Sequence, residues 1–266
     1  MKISSWLLVI SSWFLVLMSC GDNGAKEPTD TPTSGEVNIC IDESYKPLLD
    51  AEIYTFEAFY RNAKIHTYYI PESKAIQMLL TDSCKVAILN RSLTEEEKKV
   101  FESKKIFPII TKIAEDGVAF IVNKENDDSV FTVEQIKAML SGKDSLWSGK
   151  GGGVINVVFD NTGSANARYM KDSLLKENDF GKNVFAVKSN PDVIDYVNKN
   201  KNALGVISVN WISDSDDTLT KYFMKKVKVA AIKKDTASKA FKPYQSYIKT
   251  KEYPFCRDVY LSLIHI

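Results

Sequence analysis

Residues Val157–Tyr169 read VVFDNTGSANARY. The apolar start predicts a buried strand over 154–160. The polar turn that follows opens a helix expected to run to about Lys176. Strand, polar turn and helix in that order is the unit of a parallel α/β sheet. The turn lies at the carboxyl end of its strand, where open α/β sheets bind ligands. A helix start there leaves N–H groups unsatisfied and carries about half a positive charge. An anion suits such a place.

Two earlier junctions have the same form. EVNICID (36–42) predicts a strand that meets Glu43-Ser44-Tyr45 and a helix to about Arg61. KIHTYYI (64–70) alternates as a strand and meets Pro71-Glu72-Ser73, which opens a helix through Leu80. KVAILN (85–90) follows as a third strand, then a helix over 93–104 with Glu95, Glu96 and Glu97 in its first turn, where acids complement the dipole. The rhythm then changes. Strands are expected at 106–114 and 117–123, joined near Asp116-Gly117, then a helix over 132–140. After the opening stretch come a strand at NVFAVK, a helix capped by Asn190 with Pro191 first, and a turn at Ala203-Leu204-Gly205 into VISVNWI. A strand at 226–233 precedes a largely extended tail. Ser and Asn are also ordinary helix caps, so one junction alone indicates little. Three junctions, with Arg168 one turn beyond Ser164 and Arg91 beside Asn90, point to a shared anion site. Micromolar affinity needs about 8 kcal/mol and one charge-assisted hydrogen bond nets about 1.5–3 kcal/mol, so several starts must converge.

Composition narrows the function. The 266 residues are 44% hydrophobic and 26% charged, with a net charge of +1. That near-neutrality gives no electrostatic footprint for nucleic acid. The two histidines are His66 and His265. No nucleophile–base arrangement or metal-ligand spacing can be assembled from them, so neither an enzyme, a metal site nor a cofactor is expected. Residues 1–20 (MKISSWLLVISSWFLVLMSC) have a positive start and an apolar run too short to span a bilayer. They end in Leu17-Met18-Ser19-Cys20, which looks like a lipobox. Cys20 is therefore the expected lipidation site, with the body anchored to a membrane and facing the periplasm or exterior. Residues 21–35 have the composition of a flexible tether. Cys40, Cys84 and Cys256 allow one disulfide. Sequence alone cannot pair them, and Cys40–Cys84 is the candidate.

Several stretches, in order, carry a family resemblance: AEDGVAFIVNKEN (114–126), FTVEQIKAMLSGKDSLW (131–147), GSANARYMKDSL (163–174), VNKNKNALGVISVNWI (197–212) and YPFCRDVYL (253–261). Together they resemble the phosphate ABC-transporter substrate-binding proteins of the PstS type. The resemblance implies a two-lobe class II periplasmic binding protein with mixed sheets, flanking helices and a ligand cleft between lobes. It implies a monomer that delivers phosphate to an ABC permease. Lobe one would comprise 36–111 plus 222–266, and lobe two 112–221, with hinges near Lys112 and Lys221. Carried over by position, Ser44, Tyr45 and Ser73 match phosphate-contacting loops. Gly163, Ser164, Ala165 and Asn166 match the family's Gly-Ser turn, with the Ser164 hydroxyl and the Ala165 and Asn166 N–H groups as donors.

This sequence departs from the family in three places. Asn90 stands where the family has an acidic proton acceptor, leaving Asp116 as a possible replacement. The arginine before the Gly-Ser turn is missing, and Arg168 is the expected substitute. The chain ends in LSLIHI where the family continues, so lobe one is expected to be incomplete at its C-terminus. A receptor for sulfate or molybdate, and a surface interaction protein that has lost transport, are the alternative readings.

Overall fold

The computed structural model describes residues 30–147, 153–214 and 216–264. The expected leader, Cys20, most of the tether and His265 lie outside the described residues. The ordered sheet begins inside the expected tether, with β1 at Ser34–Asp42. It pairs in parallel with β2 (Asn62–Ile70) and β3 (Val86–Leu89). Between these strands run α1 (Lys46–Phe59), entered through a short 3₁₀ turn at Glu43–Tyr45, and α2 (Glu72–Leu80). Helix α3 (Glu95–Ser103) follows β3, and Thr94 and Glu97 close its start with a reciprocal capping box.

Strand β4 (Ile109–Asn123) contradicts the expected break at Asp116-Gly117. It is one continuous strand whose partner changes along its length. Ile109–Gly117 pairs with β11 (Cys256–Leu263), with a bulge that leaves Ile113 unpaired, and Val118–Val122 pairs with β8 (Ala203–Ser208). A bulge of this kind bends and twists the strand. The spatial order is β2-β1-β3-β11-β4-β8-β6-β7, with β6 at Asn156–Phe159 and β7 at Val184–Ala186. The result is one mixed sheet with a parallel group at each end and antiparallel pairing at its middle.

Beyond Gly117 come β5 (Val130–Thr132), α4 (Val133–Ser141), α5 (Ala165–Met170) and α6 (Asn190–Lys199). A π turn at Lys171–Leu175 continues α5, close to the expected end. Ser189, one residue before Asn190, caps α6. Ala203-Leu204-Gly205 is no turn but the buried start of β8. A Cβ at Gly205 would lie 2.7 Å from Ile121 and Val197, so the missing side chain lets β8 meet both neighbours. Helix α7 (Thr218–Lys226) leads to β9 (Val227–Val229), which pairs with β4, and to β10 (Ala231–Lys233), which pairs with β5. The expected return to the first sheet near Lys221 is thus not seen in the pairing. A short helix, α8 (Gln245–Lys249), interrupts the expected extended tail before β11 re-enters between β3 and β4.

The largest core cluster runs from Val118 and Phe120 through Val157 and Phe159 to Phe255. A smaller one joins Cys40, Leu79, Leu89 and Phe101. Cys40 and Cys84 are joined in a disulfide, and Cys256 is free and half-buried. Among the described residues no helix is long and apolar enough to cross a membrane.

Candidate binding site between the two halves

Strands β1, β3, β6 and β8 end close together, and three of their last or next residues are acids or amides: Asp42, Asn90 and Asp160, all buried. Charges are almost never buried without partners. Here the partners come from both sides of Gly117. Asp42 accepts from the Ser44 N–H at 3.0 Å and from the Ala165 N–H at 3.4 Å. Asp160 accepts from the Ser164 hydroxyl at 2.7 Å and from the Asn190 amide at 3.2 Å. Glu43 accepts from the Asn190 N–H at 3.3 Å and from its amide. Glu72 accepts from the Asn90 N–H at 3.0 Å and pairs with Arg168.

Asp116 and Arg257 form the centre. Arg257 donates through Nε at 3.0 Å and through Nη2 at 2.8 Å to the same Asp116 oxygen. Asp116 also accepts from Tyr45 at 3.4 Å and from the Asn210 amide at 3.2 Å. Residues of both halves therefore meet at the point where β4 changes partner. Burial opposes the Arg257 charge, but Asp116, Tyr45 and Asp42 more than restore it and raise its pKa. Burial first, then the Asp160 and Glu72 charges, push the Asp42 carboxyl to about 6. Burial, with help from Asp160 and Asp42, takes Glu43 to about 7 against the hydrogen bonds from Asn190. Asp160 is also raised, chiefly by burial.

The expected residues divide into two groups. Ser44, Tyr45, Asn90, Ser164, Ala165 and Asn166 come together and are buried. Ser73 lies exposed at the rim, where its N–H donates to the Gly163 carbonyl at 3.2 Å. A Cβ at Gly163 would stand 2.4 Å from the Ser73 hydroxyl, which explains the glycine. Arg91 is engaged at 2.8 and 2.7 Å by Glu97. Arg168 is held by Glu72 and Asp172. Neither arginine is at the centre; Arg257 is. The Ser164 hydroxyl, expected to face an anion, is spent on Asp160 and on the Ala167 N–H at the start of α5. Four buried polar atoms in this network have no protein partner: Ser44 Oγ, Asn90 Oδ1, Asn166 Oδ1 and Arg257 Nη1. Such atoms are uncommon and call for an explanation. A groove of about 1160 Å³ between α1 and residues 209–220 reaches the centre at Asp116 and Asn210.

Sequence reasoning missed Arg257, Asp42, Asp160, Glu43, Glu72 and Asn190. A signal existed for some of them. Arg257 occupies an inward position of an alternating strand, and Asp42 and Asp160 each end an apolar run, where a charge must find a partner.

A sequence profile for the PBP superfamily domain matches residues 26–264. The chain belongs to the PBP superfamily. Curated relatives include the phosphate-binding protein PstS of Staphylococcus aureus, 26% identical over 93% of this chain and 73% of the relative. Among solved structures, this PBP-superfamily chain is similar to a putative phosphate ABC transporter substrate-binding protein with bound phosphate from Clostridium perfringens. That match has a TM-score of 0.70 and 22% identity over 86% of each chain. An ABC-type phosphate transport receptor from Vibrio cholerae matches with a TM-score of 0.62 and 22% identity over 86% of this chain and 87% of that one. The two-lobe periplasmic binding protein fold is therefore the fold of this chain.

Proposed function

We propose that this chain is an extracytoplasmic receptor that binds phosphate between its lobes and delivers it to an ABC importer without chemistry. The observation that carries the reading is the set of four unpartnered buried atoms. Arg257 Nη1 and Ser44 Oγ can donate, while Asn90 Oδ1 and Asn166 Oδ1 can only accept. A protonated phosphate offers both counterparts: bare oxygens for the donors and O–H groups for the acceptors. Sulfate and molybdate, ionised at neutral pH, bring no proton for Asn90 and Asn166.

The strand pairing suggests where the lobes divide. One lobe would hold β1–β3, the outer half of β4 and β11. The other would hold Val118 to about Phe255, moving 222–255 out of the lobe assigned to them from the sequence. Crossings near Gly117 and Phe255 would then serve as hinges, and an anion held by both lobes would favour closure through its differential affinity. Anchoring through Cys20 belongs to the same proposal and places the receptor beside its permease.

Isothermal titration of the full chain with phosphate and then sulfate tests the reading. Low-micromolar binding of phosphate alone is expected. Silence toward both from protein with a folded circular dichroism spectrum would favour an interaction protein on the same fold.

A further inference from the structure

The Asp42 carboxylate sits on the Ala165 N–H, one of the two N–H groups that the family resemblance assigns to phosphate. One oxygen takes the Ser44 N–H and the other takes the Ala165 N–H from the opposite half, 123 residues away. An N–H directed at a carboxylate is not free for a second anion. Arg257, whose charge acts on Asp42, keeps Nη1 without a partner, so a planar carboxylate does not satisfy every donor around it. A tetrahedral oxyanion has more oxygens to offer. The bland role of Asp42, capping the 3₁₀ turn through Ser44, accounts for one of its contacts but not for the bond to Ala165.

We propose that Asp42 is a resident competitor for the anion, so that this receptor binds phosphate as Asp42 takes up a proton and releases the Ala165 N–H. The inference rests on the phosphate reading above. The step is an acid–base exchange with the solvent: one O–H bond forms on Asp42 as one breaks in a hydronium ion or buffer acid, which keeps the electron pair as water or buffer base.

The surroundings favour this exchange. Asp42 faces Asp160 from the end of β6, Glu72 from the start of α2 and Arg257 from β11, while Glu43 follows it in the chain. Asp116 is held by Arg257 nearby. Arg168 offsets Glu72 and Arg257 offsets Asp116, which leaves Asp42, Asp160 and Glu43 without a guanidinium of their own, so a further negative charge is admitted most easily when one carboxylate is neutralised. Burial, Asp160 and Glu72 already hold Asp42 at about 6, and a bound anion raises it further. Wild-type affinity therefore gains about tenfold for each pH unit lowered toward 6, and levels off below it.

The test is titration of the full chain and of Asp42→Asn with phosphate from pH 5.5 to 8. Asparagine keeps an oxygen for the Ser44 N–H and removes the charge. Phosphate titrates in this range too, so the readout is the ratio of the two dissociation constants at each pH. Asp42→Asn should bind about a hundredfold tighter at pH 8, with the ratio approaching one at pH 5.5. Wild type should also take up close to one proton more per phosphate when buffers of different ionisation enthalpy are compared. A ratio independent of pH, or weaker binding by Asp42→Asn throughout, overturns the inference and leaves the phosphate reading standing. Absence of phosphate binding by both folded proteins at every pH sinks both. Should Asp42→Asn fail to fold, Asp160→Asn serves instead. It removes the largest charge raising Asp42 and should lower the pH midpoint of wild-type affinity, and an unmoved midpoint overturns the inference.

Discussion

The sheet beyond Gly117 is covered on both faces, whereas the sheet before it is not. From Gly117 to Asn123 every residue of β4 is buried, as is all of β8. On the other side, α1 has no buried residue, β2 alternates, and Tyr54, Phe59 and Phe107 are each at least 75% exposed. Apolar burial contributes about 25 cal/mol per Å², so the first half gains less from its core. It is also the half with a covalent staple. The Cys40–Cys84 bond closes 44 residues of chain around β1, α1, β2 and α2. The difference teaches that one site can be built by two walls held in different ways, one by packing and the other by packing plus a crosslink.

The largest effect is expected where the halves meet. Arg257→Leu strands the Asp116 charge in a buried place and should cost about 3–5 kcal/mol in urea unfolding, along with the loss of phosphate binding. Both side chains belong to the first half, so protection from hydrogen exchange should fall most there, and loss that spreads to the second half through Asn210 would show that the pair also ties the two together. Removing the staple comes next. Cys40→Ala with Cys84→Ala releases a long loop and should cost about 4 kcal/mol, with β1 and β2 losing protection while β8 keeps it. Uniform loss would break the comparison.

A gain is expected from Asp42→Asn in the absence of phosphate. The folded protein holds the Asp42 proton up to about pH 6, whereas the unfolded chain releases it near 3.8. Folding thus takes up a proton between those values, and stability falls as pH rises through them. The variant should be more stable than wild type by up to about 3 kcal/mol at pH 8 and equal to it below pH 4, as read by paired thermal melts. Glu43, raised to about 7, adds to the same slope. The smallest effect is at Gly205. Gly205→Ala overpacks β8 against Ile121, Val193 and Val197 and should cost about 1–3 kcal/mol, confined to the second half.

The sequence made the α/β class legible because apolar runs, polar turns and helix caps alternate with regular spacing; the polar junctions led to Ser44, Tyr45 and Asn166, and the family resemblance led to Asn90. Partner exchange within β4 was not legible. Asp116-Gly117 looks like a turn by composition, yet Gly117 is small because Ile248 lies against it: an added Cβ would stand 3.0 Å from that side chain. The arginine was misassigned for a similar reason. Arg168 is near the turn in sequence, and Arg257 is near it only after β11 has folded back. Local pattern reports neighbours along the chain, and this site is made of neighbours across it.

Strand β11 occupies the middle of the sheet but comes after every other strand described, and it pairs with residues made long before, at Val86–Leu89 and Ile109–Gly117. During synthesis β3 and β4 must wait, with open edges, until Leu263 has emerged from the ribosome. Pairings so distant in the chain are slow to form, and open edges invite the wrong partner. On the export that the proposed function entails, the delay has a use: a sheet that cannot close early leaves the polypeptide loose enough to be threaded.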